Sequence, residues 1–288
     1  MQEMLHLTQS ANLLISVGGR PIIDSPNAAP KYPTKGLPGG VLPNLEISLR
    51  KFSLQQVHDV FMAIEYPHYR TRNRDDPWFL SNTIGQFYIE ECMEYLLTVK
   101  KEDIFCDCAD KQVKWPYQND YGMVHIVTNL TTAKEAILEI IEQGEGAGPG
   151  SPIYLDSGDY AHFYKFKEIY CQHQLVKHGT KYSFSGPNIT LNPNGVWLMQ
   201  DNPSKAGLGT ANVYNTARVF NQLYHGLLKA LQEVFDSNPD GMLGTLPIME
   251  SLELHGKQLM RDPMPNDHTC TCGPVFDYNW NESEGVDD

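Results

Sequence analysis

Two carboxylate–histidine pairs are the residues of this chain best able to perform chemistry. Glu3 and His6 are three positions apart, and so are Asp159 and His162. Residues at this interval lie on one face of an α-helix, about one turn apart, so each pair can bind a metal ion together. Carboxylate oxygens and imidazole nitrogens suit iron or manganese, and zinc to a lesser degree. The spacing therefore predicts a metal centre between two facing helices.

A centre with two metal ions needs carboxylates beyond these four residues, because helical bundles of this kind use four carboxylates and two histidines. Glu145 is the next candidate, since the glycines on both sides of it let the backbone approach a buried centre. Glu142, about one turn earlier, is the alternative to Glu145. Glu65, which ends a predicted helix, is interpreted as a cap or as a support for a ligand. The predicted ligands are Glu3, His6, Glu145, Asp159 and His162.

Composition and charge limit the classes of partner. The proportions of hydrophobic residues (41%) and charged residues (20%) are ordinary for a globular protein, and 288 residues suit one large domain or two small ones. The net charge of −13 argues against nucleic acid and anionic membranes, since both need a basic surface. No apolar run reaches the roughly 18 residues of a membrane span, and no signal peptide is evident. We therefore expect a cytoplasmic protein that acts on a small molecule.

The six cysteines include two close pairs, Cys106 with Cys108 and Cys270 with Cys272. A structural zinc site usually has two to four residues between its paired cysteines, so a gap of one residue is a weak indication of metal. The cysteines are therefore predicted to be reduced thiols on loops.

Helical periodicity and capping signals dominate the chain. Capping boxes at Ser53, Thr83 and Thr132 each predict the start of a helix. Predicted helices cover residues 1–17, from 53, from 83, 132–143, about 157–176, 211–235 and 245–260. Two short strands are predicted at residues 182–184 and 189–191. The expected fold class is all-α, with long irregular loops and extra helices towards the C-terminus.

An ordered set of motifs resembles the ferritin-like domain of the iminophenyl-pyruvate dimer synthase family. The resemblance covers about residues 1 to 280. Its motifs are Glu3-Met-Leu-His6, Gly18-Gly-Arg-Pro21, Ile64-Glu-Tyr-Pro67, Thr83-Ile-Gly-Gln-Phe-Tyr88, Gln143-Gly-Glu-Gly146, His162-Phe-Tyr-Lys-Phe166 and Gly273-Pro-Val-Phe-Asp-Tyr278. By this resemblance Glu3, His6, Glu145 and His162 occupy metal-ligand positions, and Asp159 stands where a carboxylate is expected.

The resemblance also implies a domain organisation. Residues 1–178 would form the ferritin-like bundle, residues 179–280 a helical extension packed on it, and residues 281–288 an acidic disordered tail. Family members carry a further helix, with another carboxylate, ahead of the Glu-x-x-His helix. Because this chain begins inside that helix, we expect it to lack the first bundle helix and one ligand.

Three functions are compatible with these features. The resemblance implies a metal-dependent oxidoreductase of secondary metabolism that couples two imines derived from an aromatic amino acid. Its metal would be iron or manganese, as a single ion or as a dinuclear pair. One alternative is a metal-free scaffold that keeps the bundle. The other is a dinuclear iron oxidase acting on another small molecule. The expected partner is a small aromatic substrate, and self-association is compatible with each function.

Overall fold

A computed structural model describes residues 1–68, 82–99, 104–115, 121–148, 151–153, 158–208, 211–265 and 267–280. The chain divides into two units, each of which is interrupted in sequence. Unit 1 comprises residues 1–20, 35–46 and 53–191, and unit 2 comprises residues 21–34, 47–52 and 192–288. The predicted acidic tail, residues 281–288, lies outside the described residues.

The described part of unit 1 contains five α-helices of ten residues or more. They are α1 (Gln2–Ser16), α2 (residues 54–64), α3 (residues 84–98), α4 (Leu130–Glu145) and α5 (His162–Cys171). The predicted caps of α2 and α3 are present, because Ser53 and Thr83 each accept a hydrogen bond from the backbone three residues later. Helix α4 begins earlier than predicted, since Asn129 rather than Thr132 caps it.

Helices α2 and α3 each contain a stretch of wider π-helical turns. In α2 this stretch is Val57–Phe61, and in α3 it is Phe87–Met93. Such turns are rare inside α-helices and occur frequently at functional sites. In α2 the stretch lies in the turn before the helix ends at its C-cap, Glu65.

The prediction of an all-α fold is wrong, because the described residues form two two-stranded sheets beside the helices. Strands β1 (Thr34–Leu37) and β2 (Val41–Ile47) pair across a tight turn in which Gly39 and Gly40 have positive φ. Strands β3 (His173–His178) and β4 (Lys181–Asn188) pair in antiparallel register. Gly36 of β1 also has a positive φ, and Pro43 lies within β2.

The second sheet begins where a helix was predicted to continue. Helix α5 ends at Gln172, which adopts the left-handed conformation typical of a helix C-terminus. Leu175 then pairs with Phe184, and its N–H donates to the Glu168 side chain. Cross-strand pairing therefore outweighs the helical periodicity of these residues.

Packing within unit 1 brings the ends of its helices together. Met62, Ala63 and Tyr66 pack against Phe163, so the end of α2 lies against the start of α5. Met93 of α3 packs against Ile137 and Ile141 of α4. Buried polar side chains hold α1 against the loops before α4. Asn12 exchanges hydrogen bonds with the Val113 backbone, and Gln9 accepts one from the His125 N–H.

Unit 2 contains the two long C-terminal helices, α6 (Ala211–Asp236) and α7 (Leu246–Arg261), close to their predicted bounds. Its core joins Phe220 and Leu259 from these helices to Cys272, Val275 and Trp280 from the segment that follows. None of the helices in the described part of the chain is long and apolar enough to cross a membrane.

The cysteines are not all reduced. Cys106 and Cys108 form a disulfide, so the prediction of free thiols is wrong for this pair. The Cys106 N–H donates to the carbonyl oxygen of Ser16, which anchors this loop at the end of α1. Cys92, Cys171, Cys270 and Cys272 are free.

Candidate metal centre

Three helix ends place acidic and imidazole side chains in one cluster. Glu3 lies in the first turn of α1, with His6 one turn later. Glu65 is the C-cap of α2, and His162 is the first residue of α5. The packing of α2 against α5 fixes the separation of Glu65 and His162. We name Glu3, His6, Glu65 and His162 the acidic–imidazole cluster.

The Glu3 carboxylate lies between the two imidazoles. Its Oε1 atom is 3.0 Å from Nδ1 of His162, and its Oε2 atom is 3.4 Å from Nδ1 of His6. The centroids of the two imidazole rings are 5.6 Å apart. Each oxygen of one carboxylate therefore faces a different histidine, which is the arrangement a bridging carboxylate needs. The two sequence pairs do meet, through Glu3 and His162.

Glu65 completes the cluster from the other side. Its Oε1 atom is 3.4 Å from the Nδ1 atom of His162. One ligand atom each from Glu3, Glu65 and His162 lie within 4.8 Å of one another. Two carboxylates and an imidazole so close together can bind one cation with small adjustments of their side chains.

Two glutamines set the orientation of the histidines. Gln2 Oε1 is 2.9 Å from Nε2 of His162, and Gln143 Oε1 is 2.9 Å from Nε2 of His6. An amide oxygen only accepts hydrogen bonds, so each Nε2 carries a proton. Both Nδ1 atoms are thereby turned towards Glu3. Histidines that bind metals generally donate their other ring N–H in this way.

Gln143 is itself held in place by hydrogen bonds from its amide nitrogen. Its Nε2 donates to Glu139 Oε1 at 2.9 Å and to the carbonyl oxygen of Tyr121 at 3.1 Å. Glu139 also accepts a hydrogen bond from the Met123 N–H. These bonds leave the Gln143 oxygen facing His6, so α4 orients the His6 ring through Gln143.

The cluster favours positive charge at its centre. Hydrogen bonds from His162 and then His6 hold the pKa of the Glu3 carboxyl well below its usual range. Burial lowers the pKa of His162, but Glu3 and Glu65 outweigh it and raise that pKa to about 9. Either a proton on Nδ1 or a metal ion can supply this charge. The cluster is reachable from water on one side, because 71% of the Glu3 side chain is exposed against 12% for His162.

The Glu145 carboxylate forms hydrogen bonds with residues outside the acidic–imidazole cluster. Its Oε2 accepts a hydrogen bond from the His68 N–H and lies 2.6 Å from Nδ1 of the same residue. Its Oε1 accepts from the Gly85 N–H at 2.8 Å. Burial raises the pKa of Glu145, while the bonds from His68 and Gly85 oppose that shift. Glu145 thus ties the end of α4 to the start of α3.

Asp159 also lies outside the cluster. Because α5 begins at His162, Asp159 precedes the helix, and the one-turn spacing that paired the two residues in sequence does not apply. The Asp159 carboxylate lies 2.6 Å from the Lys165 ammonium. Burial raises the pKa of Asp159, but Lys165 holds it below its usual value. Glu142, the alternative to Glu145, is half-buried on α4.

Glu65 was predicted to be a cap or a support for a ligand, but it lies beside His162 in the cluster. One signal was available, since Gly144 faces it. A Cβ atom at Gly144 would lie 2.6 Å from Oε2 of Glu65, so this glycine leaves room for the Glu65 carboxylate. The other flanking glycine, Gly146, has a φ of 101° and ends α4.

Comparisons with known proteins agree with this helical core. The sequence model of the family described as Ferritin-like matches residues 1–171. The crystal structure of a ferritin like protein from Caulobacter vibrioides aligns with a TM-score of 0.56 over 96% of this chain and 83% of that chain. Its sequence identity is 17%, so this likeness concerns the fold. No curated protein matches the chain.

Proposed function

The chain belongs to the ferritin-like family, and on that basis we propose that it is a metal-dependent oxidoreductase whose ions are held by the acidic–imidazole cluster. The observation that carries this proposal is the position of Glu3, one oxygen towards His162 and the other towards His6. Oxygen and imidazole donors suit iron or manganese. Either metal, when bound, would supply one-electron redox chemistry.

The residues of the cluster divide between two ion positions. His162 and Glu65 would hold one ion, His6 would hold the other, and Glu3 would bridge them. Gln2 and Gln143 would keep the protons on the Nε2 atoms, which leaves the Nδ1 lone pairs for the ions. Glu145 and Asp159 remain predicted ligands, but His68, Gly85 and Lys165 compete for their oxygens.

We propose oxidative coupling of two imines derived from an aromatic amino acid as the narrower function. The ordered motifs over about residues 1 to 280 support it. Joining two such molecules through a carbon–carbon bond removes two electrons and two protons, and dioxygen can accept these as hydrogen peroxide. Holding both molecules in one site would supply much of the rate by proximity.

A metal-free scaffold is the second candidate. The exposure of Glu3 favours it, since a solvated carboxylate gains less from binding an ion than a buried one does. The two candidates differ in whether a purified sample retains metal after dialysis against a weak chelator.

One experiment separates the candidate functions. The chain is loaded with Fe(II) without oxygen, freed of excess iron and mixed with oxygenated buffer, with or without an aryl-pyruvate imine. We expect oxygen uptake and a dimeric product, detected by an electrode and by mass spectrometry. Uptake without the dimer would indicate an oxidase for another molecule. Uptake no faster than that of free Fe(II) in the same buffer would contradict the oxidoreductase proposal.

The Gly144→Ala variant tests the placement of Glu65. The new methyl group must displace the Glu65 carboxylate, which is the mobile end of a side chain, so we expect Fe(II) to bind about 10-fold more weakly. The fold itself should not weaken, because alanine is favoured over glycine in helices by about 1 kcal/mol. Calorimetric titration and thermal unfolding measure the two effects.

Gly226→Ala is the matched control, since Gly226 lies in α6 and a Cβ atom added there would meet no neighbouring atom within 4 Å. It should stabilise the helix and leave Fe(II) binding unchanged. Equal Fe(II) affinities in the two variants would show that Glu65 is not a ligand.

A further inference from the structure

A cavity of about 600 Å³ opens beside α1, within unit 1. It is lined by parts of α1, α3 and α4 and by residues 104–105. This volume is in the range of sites for small organic molecules. None of its described lining residues is charged, so it suits an uncharged ligand. Four of these described residues are aromatic: Phe87, Tyr88, Tyr95 and Phe105.

The cavity begins close to the acidic–imidazole cluster. Ser10 lines it and lies four residues after His6 on α1, so both side chains share one face of that helix. The Ser10 hydroxyl donates to the carbonyl oxygen of His6 at 2.8 Å. Leu13, Leu14 and Val17 continue the same face along the cavity. A ligand that fills the cavity would therefore reach the helical turn that carries His6.

At the polar end of the cavity, the donor and the acceptor of the hydrogen bond between Ser10 and Tyr88 can be assigned. Ser10 Oγ is 2.8 Å from the Tyr88 hydroxyl oxygen. Since Ser10 uses its own proton on the His6 carbonyl, Tyr88 is the donor of this bond. Burial raises the pKa of Tyr88, in keeping with a neutral phenol. The Tyr88 oxygen then retains a lone pair as an acceptor, so the pair suits a ligand that offers an N–H or O–H group.

We propose that this cavity binds a neutral aromatic molecule carrying one N–H or O–H donor. The donor group would bond to the Tyr88 oxygen, and the aromatic body would pack among the four rings, whose edges and faces favour aromatic neighbours. Binding of this molecule does not depend on the proposed metal centre, because none of the described residues that line the cavity belongs to the acidic–imidazole cluster.

Indole and benzofuran are matched probes, because they share a shape and only indole has an N–H donor. Dissociation constants are measured by ligand-observed NMR with the metal-free chain, so a failure of the metal proposal cannot mask the result. Indole should bind about threefold to tenfold more tightly than benzofuran, the contribution of one hydrogen bond. The Tyr88→Phe variant should remove that difference and leave benzofuran binding unchanged.

A second variant keeps the test independent of Tyr88. Leu14 is 43% exposed at the edge of the cavity, and Leu14→Trp should weaken both probes at least fivefold without disturbing the fold. Leu254→Trp is the control, since Leu254 is 67% exposed and does not line the cavity. Equal binding of both probes to every variant, or no binding to the wild-type chain, would overturn the proposal. Binding that disappears as the chain self-associates would assign the cavity to a second copy and overturn it as well.

Discussion

The His162→Ala variant is expected to lose at least about 100-fold in affinity for Fe(II). The reason is that His162 contacts both carboxylates of the cluster, Glu3 at 3.0 Å and Glu65 at 3.4 Å. Removing an outer partner of a metal ligand alone typically costs about 10–100-fold. Loss of the ligand itself should cost more, and it also leaves two carboxylates facing each other. The test compares the metal content of the variant and of the wild-type chain after dialysis, measured by plasma mass spectrometry.

His255→Ala is the control for this change. His255 lies in α7, where its Nδ1 bonds to the carbonyl oxygen of Ser251 within one helical turn. This variant should retain the metal content of the wild-type chain. If His162→Ala retained it too, while remaining folded by circular dichroism, His162 would not be a ligand.

The Glu145→Ala variant is expected to have the largest effect on stability. It removes a buried carboxylate that accepts hydrogen bonds from His68 and Gly85. Their donors would be left without this partner at the junction of α3 and α4. Loss of these hydrogen bonds and of the buried acceptor should lower the free energy of unfolding by about 3 kcal/mol or more. Urea unfolding followed by circular dichroism measures the change.

Two further variants separate a structural role of Glu145 from metal binding. Glu250→Ala removes an exposed carboxylate of α7 and should change the free energy of unfolding by less than about 0.5 kcal/mol. Glu145→Gln keeps the size and one acceptor of the side chain, so a folded variant should be recovered. Unchanged metal content in Glu145→Gln would agree with a structural role, and loss of metal would assign Glu145 to the centre.

Features set by local chemistry were predictable from the sequence. The caps at Ser53 and Thr83 depend on bonds between residues three positions apart, so a short stretch of sequence specifies them. The Glu3–His6 pair was predictable for the same reason, because both residues lie within one helix. The long amphipathic helices α6 and α7 followed from their periodic apolar positions.

Features set by tertiary contacts were not predictable in this way. Gly144, the residue before Glu145, indicated that another group comes close to the backbone at this position. Only the fold shows that this group is the Glu65 carboxylate. Asp159 and His162 have helical spacing, yet the helix begins at His162 and Asp159 turns to Lys165. Residues 173–176 were predicted to extend α5. They form part of strand β3 instead, because they pair with β4.

The most direct test of the metal centre is anomalous diffraction from a crystal of the chain soaked in Fe(II) without oxygen. We expect a peak at the iron absorption edge between Glu3, Glu65 and His162, about 2.0–2.2 Å from the His162 Nδ1 atom, the bonding range of such donors. A second peak beside His6 would establish a dinuclear centre bridged by Glu3. No peak at the acidic–imidazole cluster, or a peak at His68 and Glu145 instead, would contradict the central claim.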